Sequence, residues 1–144
     1  MRNIVASYRA TKVTGGGSDL VLDPGRGISS PNGAYTFIYQ TDGNLVLYAG
    51  GRALWASGTA GRGVGRAVMQ SDGNLVVYNG SGQPLWASGT WGNASAKLAV
   101  QDDGNVVIYR ADGAPIWATN TVQQTGFGGN GRYQIQNVNS GKCV

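Results

Sequence analysis

Histidine and glutamate are absent from this chain of 144 residues, and cysteine occurs once, at Cys143. Without histidine there is no Ser-His-Asp triad, no Cys-His dyad and no zinc site of the His- or Cys-clustered kind. One cysteine cannot build an intrachain disulfide framework, so the redox compartment is not legible from cysteines. Charged residues make up only 12% while glycine numbers 25, a balance that argues against a helical bundle because glycine is among the poorest helix formers. No stretch is long and apolar enough to span a membrane. The segment from Met1 to Leu20 lacks the hydrophobic core of a signal peptide, so secretion would need a segment absent here, or the protein works inside the cell until release. Runs of basic residues are missing too. The net charge of +4 comes from eleven Lys and Arg against seven Asp, and the basic residues are scattered (Arg26, Arg52, Arg62, Arg66, Lys97, Arg110 and Arg132 among them), whereas nucleic-acid binding requires a clustered basic stripe; no nucleic-acid partner is expected.

What is present is a hydrophobic content of 41%, too high for a disordered chain, in a length that suits one domain. The composition fits an all-β protein with many tight turns. An internal repeat then organises it. The chain reads Gln40-Thr-Asp42-Gly-Asn44-Leu-Val46-Leu-Tyr48, then Gln70-Ser-Asp72-Gly-Asn74-Leu-Val76-Val-Tyr78, then Gln101-Asp-Asp103-Gly-Asn105-Val-Val107-Ile-Tyr109. Each block is followed by an echo: Leu54-Trp55-Ala-Ser57, Leu85-Trp86-Ala-Ser88 and Ile116-Trp117-Ala-Thr119.

Each repeat reads as three short strands: an alternating segment before the motif (Tyr35 to Gln40 in the first), a strand-former-rich segment after it (Leu45 to Tyr48), and a tryptophan-bearing strand beyond a glycine turn. If Thr41-Asp42-Gly43 is a three-residue loop with Gly43 left-handed, Gln40 pairs opposite Asn44, Ile38 opposite Val46 and Thr36 opposite Tyr48. Side-chain alternation then places Gln40, Asn44, Val46 and Tyr48 on one face and Phe37, Tyr39, Leu45 and Leu47 on the other. Three such hairpins bury their apolar faces by closing around an axis, with Trp55, Trp86 and Trp117 as central packers.

Asp and Gly alone would be ordinary hairpin residues, but turn chemistry does not explain Gln, Val and Tyr at fixed offsets three times. The set suits a pyranose, whose hydroxyls donate and accept and whose C–H patches prefer apolar contact. Asp accepts, Asn and Gln do both, Tyr does either, and a solvent-facing Val supplies the apolar patch. None of this requires a metal, a cofactor or proton transfer.

The triple Gln-x-Asp-x-Asn-x-Val-x-Tyr with its Trp-Ala-Ser echo resembles the monocot (bulb-type, snowdrop-like) mannose-binding lectin family, over about residues 19–120. The resemblance implies an all-β β-prism of three four-stranded antiparallel sheets with pseudo-threefold symmetry. It divides the chain into an N-terminal extension (1–17), a lectin domain (18–120, repeats about 30–60, 61–91 and 92–120) and a C-terminal extension (121–144). It also implies one mannose site per repeat: Gln40, Asp42, Asn44, Val46, Tyr48; Gln70, Asp72, Asn74, Val76, Tyr78; and Gln101, Asp103, Asn105, Val107, Tyr109. In the family's pattern Gln, Asp and Asn hold the 2- and 3-hydroxyls, Tyr holds the 4-hydroxyl, and Val packs on the ring carbons. Partners implied are mannose-containing glycans, with a homodimer through C-terminal strand exchange and no membrane insertion; secretion is the family expectation.

Two departures stand out. Plant members usually carry a cysteine where this chain has Gly43, which suggests a bacterial or fungal homologue or maturation in a reducing compartment. The segment Tyr133-Gln-Ile-Gln-Asn-Val-Asn-Ser-Gly-Lys-Cys-Val is similar to the opening strand of ricin-type β-trefoil repeats, so the C-terminal extension reads either as an exchanged strand or as a stub of such a domain. Arg62-Gly-Val-Gly-Arg66 lacks the ending and helix of a phosphate loop and reads as a surface loop. Asp102 and Asp103 are the only paired carboxylates, present in one repeat alone, so a glycosidase is not expected. The competing class is a protein-interaction or toxin-targeting module of the lectin-like bacteriocin type with partly silent sugar sites.

Overall fold

The computed structural model describes residues 19–123, together with 138–139 and 142–143. The strands run in chain order as β1 (Leu20–Leu22), β2 (Arg26–Ser29), β3 (Tyr35–Tyr39), β4 (Leu45–Ala49), β5 (Arg52–Ala56), β6 (Arg66–Met69), β7 (Leu75–Tyr78), β8 (Pro84–Ala87), β9 (Lys97–Val100), β10 (Val106–Tyr109) and β11 (Pro115–Ala118). Each repeat supplies three consecutive antiparallel strands, as its sequence predicts. The fourth strand of two sheets comes from ahead of the repeats. Strand β2 completes the first sheet (β2-β3-β4-β5), and β1 reaches over to complete the second (β1-β6-β7-β8). The third sheet, β11-β10-β9, has three strands among the described residues, one fewer than the resemblance implies. Of the two extensions, residues 1–17 lie outside the described residues. So does 121–144, apart from 121–123 and an antiparallel pair, β12 (Val138–Asn139) with β13 (Lys142–Cys143).

The register of the first hairpin is the expected one. Ile38 pairs with Val46 and Thr36 with Tyr48, while Gln40 N–H donates to the Asn44 carbonyl at 2.8 Å and Gly43 N–H to the Gln40 carbonyl at 3.0 Å. Gly43, Gly73 and Gly104 take φ of 91°, 95° and 94°, the left-handed conformation that closes a three-residue loop. The face opposite the motif is the core. Phe37, Tyr39, Leu45 and Leu47 meet Met69, Leu75 and Val77 from the second sheet and Leu98, Val100, Val106 and Ile108 from the third, all essentially without solvent contact. At the centre the three tryptophans form a triangle of tilted edge contacts. Their centroids lie 5.2 Å (Trp55–Trp86), 5.6 Å (Trp55–Trp117) and 5.6 Å (Trp86–Trp117) apart, in the favoured geometry for aromatic pairs.

Strict alternation fails at Leu54-Trp55, where two neighbouring apolar residues would face opposite ways. A bulge resolves it. Leu47 pairs with Trp55 but Tyr48 pairs with Ala53, leaving Leu54 as the extra residue, and both Leu54 and Trp55 pack on the core. The same shift occurs at Val77/Tyr78 and Ile108/Tyr109, so a bulge lies opposite the motif tyrosine in every repeat. Residues 62–65 form the surface loop expected of the Arg62–Arg66 segment while Arg66 opens β6, and Gly65 N–H donates to the hydroxyl of the fully buried Tyr39 at 2.9 Å.

Candidate functional site

The fold gathers each motif onto the outer face of its own hairpin. The aspartate bends back on its own loop: Asp42 Oδ1 accepts from Asn44 N–H at 2.9 Å, Asp72 Oδ1 from Asn74 N–H at 3.0 Å, and Asp103 Oδ1 from Asn105 N–H at 3.0 Å. This side-chain turn fixes the carboxylate's direction. In the second repeat no described residue donates to Asp72 Oδ2.

The asparagine is more committed than its chemistry suggests. Asn44 Oδ1 accepts from Ser57 Oγ at 3.1 Å, Gly58 N–H at 3.0 Å and Thr59 N–H at 3.1 Å. Asn74 Oδ1 accepts from Ser88 Oγ at 3.1 Å, Gly89 N–H at 3.0 Å and Thr90 N–H at 3.2 Å. Asn105 Oδ1 accepts from Thr119 Oγ1 at 3.2 Å, Asn120 N–H at 2.9 Å and Thr121 N–H at 3.3 Å. Two backbone N–H groups leave no doubt which end of the amide is oxygen. The expectation that asparagine offers a ligand both a donor and an acceptor is therefore corrected: the oxygen is consumed by the turn after the tryptophan strand, and only Nδ2 faces out. The hydroxyl of the same threonine locks this clamp to the hairpin loop, with Thr59 Oγ1 donating to the Gly43 carbonyl at 2.6 Å and Thr121 Oγ1 to that of Gly104 at 2.6 Å.

These clamp residues form a repeat that reading the motif alone misses: Ser57-Gly-Thr59, Ser88-Gly-Thr90 and Thr119-Asn-Thr121. Its middle residue is left-handed each time, at φ 76° (Gly58), 75° (Gly89) and 59° (Asn120), and asparagine is among the few side chains that tolerate that region. The signal was the hydroxyl-x-Thr triplet recurring behind each Trp-Ala.

The glutamine amide contacts the tyrosine hydroxyl in all three copies, Gln40 with Tyr48, Gln70 with Tyr78 and Gln101 with Tyr109. The orientation that satisfies both ends of Gln40 has Nε2 donating to Asp42 Oδ1 and Oδ2 at 3.2 and 3.3 Å and Oε1 accepting from the Tyr48 hydroxyl. In the third repeat Gln101 Oε1 sits buried with no hydrogen-bond partner among the described residues. In the first repeat the Tyr48 proton is then held by Gln40, and the phenol oxygen keeps its lone pairs for another donor. The first site becomes one donor, Asn44 Nδ2, between two acceptors, the Asp42 carboxylate and the Tyr48 oxygen. That pattern suits neighbouring hydroxyl groups.

The valines do not meet the expectation of a solvent-facing patch. Val46, Val76 and Val107 keep 3%, 3% and 4% of their surface. Alternation does put them on the outer face, but each sits on the central strand of its sheet with a neighbour on both sides. Val46 lies between Ile38 and Ala56, Val76 between Val68 and Ala87, and Val107 between Ala99 and Ala118.

The sites are not identical. Gln101 is fully buried where Gln40 and Gln70 are half-buried. Asp102, the irregular carboxylate, is a strut: its Oδ1 accepts from Asn32 N–H at 2.8 Å and ties the β2–β3 turn to the third hairpin loop. Asp19 does the same for the second loop, through Ser71 N–H at 2.7 Å.

No family model matches the chain. Among solved structures it is similar to a monomeric monocot mannose-binding lectin from Gastrodia elata, at 42% identity and a TM-score of 0.66 over 77% of this chain and 98% of that one. It is similar also to the mannose-specific agglutinin of snowdrop, Galanthus nivalis, solved with methyl-α-D-mannoside, at 41% identity and a TM-score of 0.59 over 79% and 98%. Among curated proteins, the B-type lectin plumieribetin of Scorpaena plumieri is 48% identical over 62 residues, 43% of this chain and 54% of that protein. The chain thus spans about half the length of the curated relatives it matches.

Proposed function

The chain belongs to the bulb-type mannose-binding lectin family, and from that premise we propose that it binds mannosides and mannose-rich glycans at three repeated sites, without metal and without catalysis. The observation that carries the reading is the preset polarity of the motif: an asparagine amide fixed by three hydrogen bonds to its oxygen in every copy, so that Nδ2 is the end able to donate, and in the first copy flanked by the Asp42 carboxylate and a Tyr48 oxygen whose proton Gln40 holds. A pyranose hydroxyl that donates to Asp and accepts from Asn, beside a second that donates to Tyr, satisfies every one of these groups. Because the protein partners are already ordered, binding immobilises few side chains, and the modest affinity of a small ligand is not spent on rearrangement.

A monosaccharide of about a dozen heavy atoms binds such a site near millimolar strength, since drug-sized ligands gain roughly 0.3 kcal/mol per atom and small ones somewhat more. Tight binding to a polymer then rests on multivalency, which raises avidity by about 10²–10⁴ when the sites engage one chain together. Titration with methyl α-mannoside, followed by NMR, is expected to saturate in the millimolar range with and without a chelator. No response at tens of millimolar, or binding abolished by the chelator, defeats the proposal.

A further inference from the structure

The loop after each tryptophan strand closes onto the hairpin loop of its own repeat. Gly61 N–H donates to the Asp42 carbonyl at 3.0 Å, Asn93 N–H to that of Asp72 at 3.0 Å, and Gln123 N–H to that of Asp103 at 2.7 Å. The residue after the clamping threonine therefore stands beside the site in every copy. It is Ala60 in the first, Trp91 in the second and Val122 in the third.

Trp91 is 70% exposed, the most exposed large apolar side chain among the described residues. Its exposure is not that of a loose loop. On one side Thr90 is buried, its N–H held by Asn74 Oδ1 at 3.2 Å and its hydroxyl by the Gly73 carbonyl. On the other, Asn93 is held by the Asp72 carbonyl and returns Nδ2 to the Thr90 carbonyl at 2.9 Å. The backbone that carries the ring is thus bonded on both flanks to two motif residues, Asp72 and Asn74. The other three tryptophans form the central triangle, so this indole alone has no part in the core.

We propose that Trp91 is a stacking platform that extends the second site to a further pyranose, the one glycosidically linked to the mannose seated at Asp72 and Asn74. The proposal rests on the mannoside reading above. A pyranose presents a face of C–H groups, which packs on the face of an indole. An indole buries a large area at small entropic cost because it has only two rotatable bonds. The first and third sites, with alanine and valine at the same place, offer no ring. The second site is therefore the one that distinguishes an oligomannoside from a monosaccharide.

The test compares the parent with Trp91→Ala and Trp91→Tyr, titrated with methyl α-mannoside and with a linear α-linked mannotriose while following the amide signals of Gly73 and Tyr78. Methyl α-mannoside is expected to bind all three proteins equally at this site. Mannotriose is expected to bind Trp91→Ala about three- to tenfold more weakly than the parent, with Trp91→Tyr in between. In the parent, mannotriose but not the monosaccharide shifts the tryptophan fluorescence. Identical mannotriose curves for parent and Trp91→Ala, with methyl α-mannoside still bound, overturn the platform and leave the mannoside reading standing. A parent that binds neither sugar overturns both. A concentration-dependent dimer lost on substitution, with sugar affinities unchanged, makes the ring a contact between copies and also overturns the platform.

Discussion

Replacing Asn74 by alanine is expected to damage the fold, whereas replacing it by aspartate is expected to damage only binding. Three donors lose their acceptor in Asn74→Ala: Ser88 Oγ, Gly89 N–H and Thr90 N–H. They do not count equally. The Ser88 hydroxyl keeps Thr90 Oγ1 at 2.7 Å as a partner, and Gly89 is exposed, so water replaces much of what is lost there. Thr90 is buried, and stranding its N–H carries most of the penalty, since an unsatisfied buried donor costs about 1–3 kcal/mol. With a smaller share from Gly89 the total is roughly 2–3 kcal/mol, a large part of the 5–15 kcal/mol that holds a domain together. For a domain of this size that lowers Tm by about 6–15 °C. In Asn74→Asp the acceptor oxygen remains while the Nδ2 donor is replaced by a second carboxylate oxygen, which adds a negative charge near Asp72, so Tm is expected within a few degrees of the parent while mannoside binding at the second site is lost. Thermal unfolding followed by circular dichroism, with NMR titration of the same samples, reads both quantities. An alanine variant that melts within about 2 °C of the parent refutes the clamp, and an aspartate variant that binds normally at that site refutes the donor assignment.

Trp86→Ala removes one corner of the tryptophan triangle and is expected to destabilise by about 3 kcal/mol, the low end for such a truncation because the ring is half-buried; urea unfolding gives the value. Gly73→Ala and Gly50→Ala both place a side chain at positive φ, 95° and 61°, but at Gly73 the new Cβ would lie 2.3 Å from the Asn93 carbonyl oxygen while nothing lies within 4 Å of the one at Gly50. Gly50→Ala is expected to cost about 1 kcal/mol and Gly73→Ala several times that, a difference that the two denaturation midpoints measure directly.

Much of this protein is legible in its residue order because its information is local and repeated. The spacing of Gln40, Asp42, Asn44, Val46 and Tyr48 along one hairpin specifies loop length, register and which side chains share a face, since strand alternation leaves one consistent solution. Three copies of that hairpin, each with an apolar inner face, require a shared core, and three tryptophans at equivalent places fill its centre. What only tertiary structure decides lies between segments that are distant in the chain. The fourth strands of two sheets come from Leu20–Leu22 and Arg26–Ser29, and nothing in the repeat period says that the first of these crosses to the second repeat. The fate of Asn44 Oδ1 depends on a turn 13 to 15 residues later, and that turn converts a bifunctional amide into a pure donor. The burial of Val46 depends on both flanking strands, not on its own. Asp102 reads as an odd acid in sequence and is a strut in space, because Asn32 lies 70 residues away along the chain but within hydrogen-bonding distance of it. Patterns of period two are written into a strand, but the partners that spend a polar group or cover an apolar one are set by packing, and packing joins what the sequence keeps apart.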